Sequence, residues 1–254
     1  MHTINVWDKL YLPGQKIILF FIAGLLLLAG PAFSQKNSVL KSRENLIDYD
    51  QRLLTYGFTL GIHSSSVRLK YDDTFTQSPG PFDTVANVTT PTGVGFSIGF
   101  LANLRLLQYL DVRLMPKVGF YQYSVNYQYF PATSPDENFF ADFTTVDLPV
   151  MLKYKSARRK NFRMFYVGGI TPTIDVTGKK QREENEQEGL RLSGDNLSME
   201  IGFGTDIYFP LFKFSPEIRY SHGLVNVLSS RQNDIGQGFS RMGTQSIALY
   251  LIFN

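Results

Sequence analysis

From Leu54 onward the chain alternates apolar and polar positions with the two-residue period of strands whose two faces meet unlike surroundings. Tyr56, Phe58, Leu60 and Ile62 alternate with Gly57, Thr59, Gly61 and His63, and Val94, Phe96, Ile98 and Phe100 alternate with Gly93, Gly95, Ser97 and Gly99. These are the first two predicted strands. A third runs from Leu110 to about Tyr129 with Val112, Leu114 and Val118 on one face, and a change of phase near Phe120 and Tyr121 predicts a bulge there. Val146 to Tyr154 form the fourth, Met164 to Ile174 the fifth, Leu197 to Phe209 the sixth and Phe212 to Leu224 the seventh; Ile247, Leu249, Leu251 and Phe253 bring the count to about eight. The apolar stretch from Leu101 to Tyr109 suits either one helical turn or an extension of the second strand.

The connections alternate in length. Tyr71 to Pro91, Phe130 to Asp142, Gly178 to Asn196 and Ser229 to Gly243 are long and polar, whereas Ser156 to Asn161 and Phe209 to Phe212 are short. Long loops at one end and tight turns at the other predict an all-β, antiparallel transmembrane β-barrel of about eight strands, with short turns and both mature termini in the periplasm. The polar face discriminates between a membrane barrel and a soluble one. It carries Asp111, Arg113, Lys117, Asp147, Lys153, Arg163, Asp175, Glu200, Asp206, Lys213, Glu217 and Arg219, interleaved with glycines. Eight strands enclose a lumen that side chains just fill, so mixed charges inside can pair with one another, and no wide pore is expected. An interior ion network is expected of Arg113, Asp147, Glu200, Glu217 and Arg219.

Aromatic residues near strand ends predict two interfacial belts: Tyr56, Phe58, Phe162, Phe209, Phe212 and Phe214 toward the short turns, and Tyr121, Tyr123, Tyr127, Tyr129 and Phe130 toward the long loops. In a soluble lipocalin-like barrel or sandwich the same aromatics would be core and the charges surface.

The N-terminus supports export. Lys9 and Lys16 precede an apolar run from Ile17 to Ala29, followed by Gly30-Pro31-Ala32-Phe33-Ser34, the order of a secretory signal. The run is shorter than the roughly 20 residues of a spanning helix. The predicted organisation is a signal peptide at 1–34, a polar lead segment at 35–53 and a barrel at 54–254.

With no cysteine among 254 residues, disulfide scaffolds, thiolate metal sites, thiol catalysis and a lipidated N-terminal cysteine are excluded. A formal charge of +3 spread along the chain lacks the basic stripe of a nucleic-acid binder. No HExxH, GxSxG or phosphate-loop pattern occurs, and no metal, cofactor or small-molecule substrate is expected. His63 and His222 are the histidines left after signal removal. Some small outer-membrane barrels are lipid hydrolases or acyltransferases using Ser, His and an acid, and of the serines beside His63 only Ser65 shares its face. The simpler reading of His63 is a polar strand end near the outer rim. The run Lys179-Lys180-Gln181-Arg182-Glu183-Glu184-Asn185-Glu186-Gln187-Glu188 is mixed in sign and suits a solvated or partner-facing loop. Ser156-Ala157-Arg158-Arg159-Lys160 is a basic turn suited to anionic lipid or an acidic partner.

Three stretches together resemble the PorT/SprT family, outer-membrane barrel components of the type IX protein secretion system of Bacteroidota. They are Asn45-Leu46-Ile47-Asp48-Tyr49-Asp50 leading into Tyr56-Gly57-Phe58-Thr59-Leu60-Gly61-Ile62; Val146-Asp147-Leu148-Pro149-Val150-Met151-Leu152-Lys153-Tyr154 with Tyr166-Val167-Gly168-Gly169; and residues 204–224, from Gly204-Thr205-Asp206 to His222-Gly223-Leu224. The resemblance implies a non-enzymatic accessory role in exporting proteins with a C-terminal sorting domain, and in gliding motility where the organism has it. Its partners would be outer-membrane lipid and other secretion-system proteins. Asn45, Asp48, Asp50, Arg158 and Arg159 are the residues expected to make those contacts. The rival readings are a lipid-modifying enzyme resting on His63 and Ser65, and a small adhesion or ligand-binding barrel acting through its long loops.

Overall fold

The computed structural model describes residues 44–71, 85–129, 137–178, 195–227 and 239–254. The predicted signal segment 1–34, the lead up to residue 43, the charged run 179–188, Phe130 and the side chains of Tyr127 and Tyr129 lie outside the described residues.

Alternation produces eleven antiparallel strands: β1 (Leu54–Tyr71), β2 (Val85–Thr89), β3 (Gly93–Arg105), β4 (Leu110–Leu114), β5 (Lys117–Tyr129), β6 (Glu137–Asp147), β7 (Val150–Lys155), β8 (Phe162–Asp175), β9 (Asn196–Tyr208), β10 (Lys213–Gly223) and β11 (Phe239–Phe253). They form one sheet closed on itself, because β1 pairs with β3 on one side and with β11 on the other, and β8 pairs with β9. Three staves are each interrupted once. β5 pairs with both β2 and β3, β3 with both β4 and β5, and β8 with both β6 and β7, so the ring has eight staves in chain order. Closure leaves no sheet edge for solvent or lipid to meet.

Proline explains two of the interruptions. Pro116 and Pro149 have no N–H to give to a ladder. Their carbonyls are still used: Phe100 donates its amide to Pro116 at 2.9 Å and Met115 to Pro149 at 3.1 Å, while Leu148 donates to Pro172 on the next stave at 3.0 Å. The third stave therefore breaks at Met115 and Pro116. The bulge expected at Phe120 and Tyr121 is absent, since β5 and β6 stay in unbroken register from Lys117↔Asp147 to Tyr127↔Glu137. What changes at Tyr121 is the chemistry of the inner face, from charged to aromatic, and in the sequence this imitates a shift of phase. The stretch after Leu101 extends β3 to Arg105 before turning, so it forms no helical turn.

Exposure follows parity. Phe100 is 73% exposed and Tyr56 68%, while Arg113, Lys153, Glu217 and Arg219 are each 1% exposed. Large apolar side chains outside and paired charges inside invert a soluble protein, and hydrocarbon is the surrounding in which that arrangement is stable. Leu54 and Asn254 lie at the end that carries the connections 106–109, 156–161 and 209–212; this is called the mouth below. The mouth-side aromatics Tyr56, Phe58, Phe162, Phe209 and Phe212 are exposed, as a girdle requires. Tyr121 and Tyr123 correct the expected second belt. They turn inward, where they pack with Phe143 against an apolar cluster of Val67, Val125, Ala141, Val227 and Met242 that fills the lumen at the long-connection end.

Interior glycines make room where staves and side chains approach. A Cβ added at Gly95 would overlap the Phe120 carbonyl and the His63 ring. Gly95→Val is expected to cost about 1–3 kcal/mol through overpacking. A lowered urea midpoint, with less of the compact band on unheated gels, checks this; a midpoint equal to wild type contradicts it.

Candidate functional site: lumen and mouth

Among the described residues seven bases are buried inside the barrel, Arg113, Lys117, Lys153, Lys155, Arg163, Lys213 and Arg219, against five acids, Asp111, Asp147, Glu200, Asp206 and Glu217. Such charges are tolerable away from water only when paired and hydrogen-bonded. The central chain of pairs runs across the lumen. Arg113 on β4 donates to Glu217 on β10 at 2.6 Å, Arg219 donates to the other Glu217 oxygen, and Arg219 reaches Glu200 on β9 at 3.3 Å. Glu200 also accepts from Thr171 at 2.7 Å. Arg113, Glu200, Glu217 and Arg219 thus form one connected unit, while Asp147 sits in a neighbouring one. Asp147 accepts from Tyr121 at 2.7 Å and Thr145 at 3.0 Å and pairs with Lys117 at 3.4 Å, and Lys117 donates to the Tyr250 hydroxyl.

Nearer the mouth, Lys153 lies 2.7 Å from both oxygens of Asp206, which also accepts from Ser215 at 2.6 Å. Lys153 stands 3.7 Å above the centre of the Phe165 ring, so cation and quadrupole add to the ion pair. Lys155 pairs with Asp111 at 2.6 Å, and Asp111 accepts from Asn103 at 3.0 Å. Between the central network and the apolar cluster lies a polar cavity of about 50 Å³, lined by His63, Tyr121, Asp147, Glu200, Arg219 and Tyr250 among others. That is room for a few waters and not for an open channel.

His63 is 2% exposed and stacks on Tyr121 with ring centres 4.2 Å apart, which places it inside the lumen and not at the outer rim. Ser65 shares its face as expected, but the Ser65 hydroxyl is 3.5 Å from Nδ1 and Nε2 has no hydrogen-bond partner among the described residues. Asp147, a carboxylate of the same cavity lining, is engaged by Lys117, Tyr121 and Thr145. Among the described residues no Ser-His-acid relay is assembled around His63. His222 keeps the outward parity of Tyr220 on β10, with their rings 6.4 Å apart.

The mouth is occupied by the chain itself. A short 3₁₀ helix, Ile47–Gln51, precedes β1, and its Asp50 enters the barrel end. Arg163 on β8 holds both Asp50 oxygens, at 3.0 and 2.9 Å; Tyr208 on β9 donates to one of them at 2.9 Å, and Arg158 in the β7–β8 turn reaches the other at 3.3 Å. The two-point guanidinium fork is the strongest ion-pair geometry available to a carboxylate. Arg158 also donates to the carbonyls of Leu46 at 3.3 Å and of Asn45, and stacks 3.7 Å above the Tyr208 ring. Asn45 is fixed by Asn161 at 2.8 Å and by the Tyr208 carbonyl at 2.9 Å, and Arg105 donates to the Asp50 carbonyl at 2.8 Å. Tyr49 is the buried ring of the segment, edge-on to Tyr208 and 4.6 Å from Lys213. Leu46 sits at φ 52°, a left-handed conformation that costs a leucine about 1–2 kcal/mol.

Of the five contact residues expected from sequence, Asn45, Asp50 and Arg158 are therefore brought together, with one another. Asp48 and Arg159 are exposed. Sequence reasoning missed Tyr49, Arg105, Asn161 and Tyr208 as parts of this arrangement. Tyr208 carried a usable signal, an aromatic residue on the polar parity of its strand.

Burial acts to raise the Asp50 pKa, but Arg163, the Tyr208 hydroxyl and Arg158 outweigh it and hold the carboxyl below its ordinary 3.8. The ionised form is thus favoured when docked. Its contribution is complete above the ordinary value and is lost as pH falls through the lowered one. Hydrogen exchange at residues 45–53, corrected for intrinsic rates, is expected to stay protected from neutral pH down to about 4 and to accelerate below that; protection independent of pH contradicts it. In the lumen, Glu217→Ala strands Arg113, leaves Arg219 with Glu200 as its remaining partner, and is expected to cost about 3–5 kcal/mol. Urea unfolding followed by circular dichroism reads the loss, and an unchanged midpoint argues against a network that bears on stability.

No curated protein sequence matches the chain. Similar solved structures include neisserial surface protein A (10% identity, covering 78% of this chain and 97% of that one, TM-score 0.40), OprG from Pseudomonas aeruginosa (13%, 79% and 92%, TM-score 0.44) and the outer-membrane enzyme PagL (14%, 75% and 97%, TM-score 0.37). The model of the outer membrane protein beta-barrel domain matches residues 33–229, and the chain belongs to that family as an integral outer-membrane β-barrel protein.

Proposed function

We propose that this protein is an accessory component of type IX protein secretion, a non-enzymatic barrel that anchors secretion partners to the outer membrane and, where the organism glides, serves motility as well. The observation that carries the reading is the closed lumen. Ion pairs cross it, the polar cavity beside them has a volume of about 50 Å³, and the chain's own lead fills the mouth. A barrel that passes nothing works through its surfaces. The three stretches resembling PorT/SprT supply the rest, with the mouth and both termini facing the periplasm and the long connections facing outward.

The rival reading as a lipid-modifying enzyme depends on His63 and Ser65, and the burial of both side chains, 2% and 1% exposed, favours the accessory reading over it. Deleting the gene in its native host and comparing the surface and culture-fluid proteomes with the periplasm tests the proposal. Periplasmic retention of proteins with a C-terminal sorting domain, restored by complementation, is expected. Normal export overturns it. Unaltered lipid A and phospholipid profiles in Ser65→Ala would separately remove the enzyme reading.

A further inference from the structure

The mouth has the construction of a receptor with a ligand in it. Its donors all belong to the barrel: Arg163 on β8, Tyr208 on β9 and Arg158 in the turn before β8 converge on one carboxylate. Beside them lies a seat for a ring, where Tyr49 packs edge-on to Tyr208 and under Lys213. The occupant, by contrast, is held by side-chain contacts and not by a strand ladder. Residues 47–51 pair with no strand, one side chain of the turn is buried, Ile47 is 65% exposed, and Leu46 is held in a left-handed conformation. Among the described residues neither Arg158 nor Arg163 has a carboxylate partner other than Asp50. Departure of the segment would therefore leave two guanidinium groups facing each other with no counter-charge, and another carboxylate would be drawn in.

We propose that the mouth is an exchangeable peptide-carboxylate site, that Tyr49-Asp50 is its resident occupant, and that it accepts from another protein an acidic segment in which an aromatic residue precedes aspartate. The aromatic ring takes the seat between Tyr208 and Lys213, and the aspartate takes the fork of Arg163. Exchange frees the lead segment, so capture of a partner and release of residues 44–53 are one event. This goes beyond the secretion reading and stands or falls independently of it.

The chain has no cysteine, so Ile47→Cys gives a single labelling point on an exposed side chain. The full mature chain, spin-labelled there and reconstituted in phospholipid vesicles, is compared with the same chain carrying Asp50→Asn, folding being verified by the compact band on unheated gels. Asp50→Asn is expected to mobilise the label. A synthetic peptide of residues 45–53 is expected to bind the Asp50→Asn chain at least about tenfold more tightly than the wild type, whose own segment competes at high effective concentration. In the wild type the peptide should mobilise the label as it binds. The same peptide with asparagine at position 50 should do neither, and Arg163→Gln should abolish binding. A label equally immobile in Asp50→Asn, no peptide binding to that variant at about 1 mM, or equal binding of the asparagine peptide would each overturn the proposal.

Discussion

Everything in this molecule depends on the closure of β1 onto β11. That ladder, in continuous register from Phe58↔Phe253 to Lys70↔Arg241, converts an open meander into a ring in which strand amides and carbonyls find partners within the sheet. Only then can the outer surface be given over to Phe58, Phe96, Phe100, Ile201 and Ile218, since hydrocarbon satisfies no polar group. The same closure forces the other faces of the strands inward. Their charges are withdrawn from water and must find one another.

The ion pairs follow from that confinement and make the barrel interior rigid. Arg113, Glu217, Arg219 and Glu200 come from three different strands, so the unit ties β4 across the lumen to β9 and β10. The ends of the lumen are closed by unlike means. Toward the long connections the inner faces turn apolar, and Val67, Val125, Phe143 and Met242 pack as a dry core; toward the mouth the inner faces are basic, and Asp50 supplies a carboxylate the barrel lacks. An apolar plug holds itself together without a counter-charge. An ionic one can be exchanged, because its parts remain soluble and charged when separated.

Much of this was legible in the chain. The two-residue period located part of every stave, but Val85–Thr89, the start of β6 from Glu137 and the start of β11 from Phe239 lie in stretches read as connections; the charged parity assigned Arg113, Glu200, Glu217 and Arg219 to the interior. The misreadings have physical causes. Tyr121 and Tyr123 read as girdle residues because alternation separates two faces without saying which is inner, and beyond Phe120 the polarity inverts, with Gln122 and Gln128 exposed while Tyr121, Tyr123 and Val125 pack inside. The break at Pro116 was hidden because its carbonyl is still bonded, to Phe100, and the strand pattern resumes at once. The pairing of Asp50 with Arg163 and Tyr208 joins residues more than one hundred positions apart, and which inward side chains meet depends on the stagger of strands around the ring, a quantity no local pattern carries. Asn45, Asp50 and Arg158 were each conspicuous as polar groups at the right end of the fold. That they face one another is a property of the closed ring.

The position of Asp50 in the chain also matters. It precedes β1 by a few residues, and Arg105 holds its carbonyl while donating its own amide to Leu53, so the lead is steered over the mouth by the first hairpin of the ring. A carboxylate so tethered competes with any free one at high effective concentration. The strain at Leu46 and the exposure of Ile47 work the other way, lowering the net attachment without weakening the receptor itself. A charged site whose occupant is bound by side-chain contacts and no strand ladder is one in which a competing carboxylate can shift the balance, because exchange replaces one ion pair with another and leaves no buried charge unpaired.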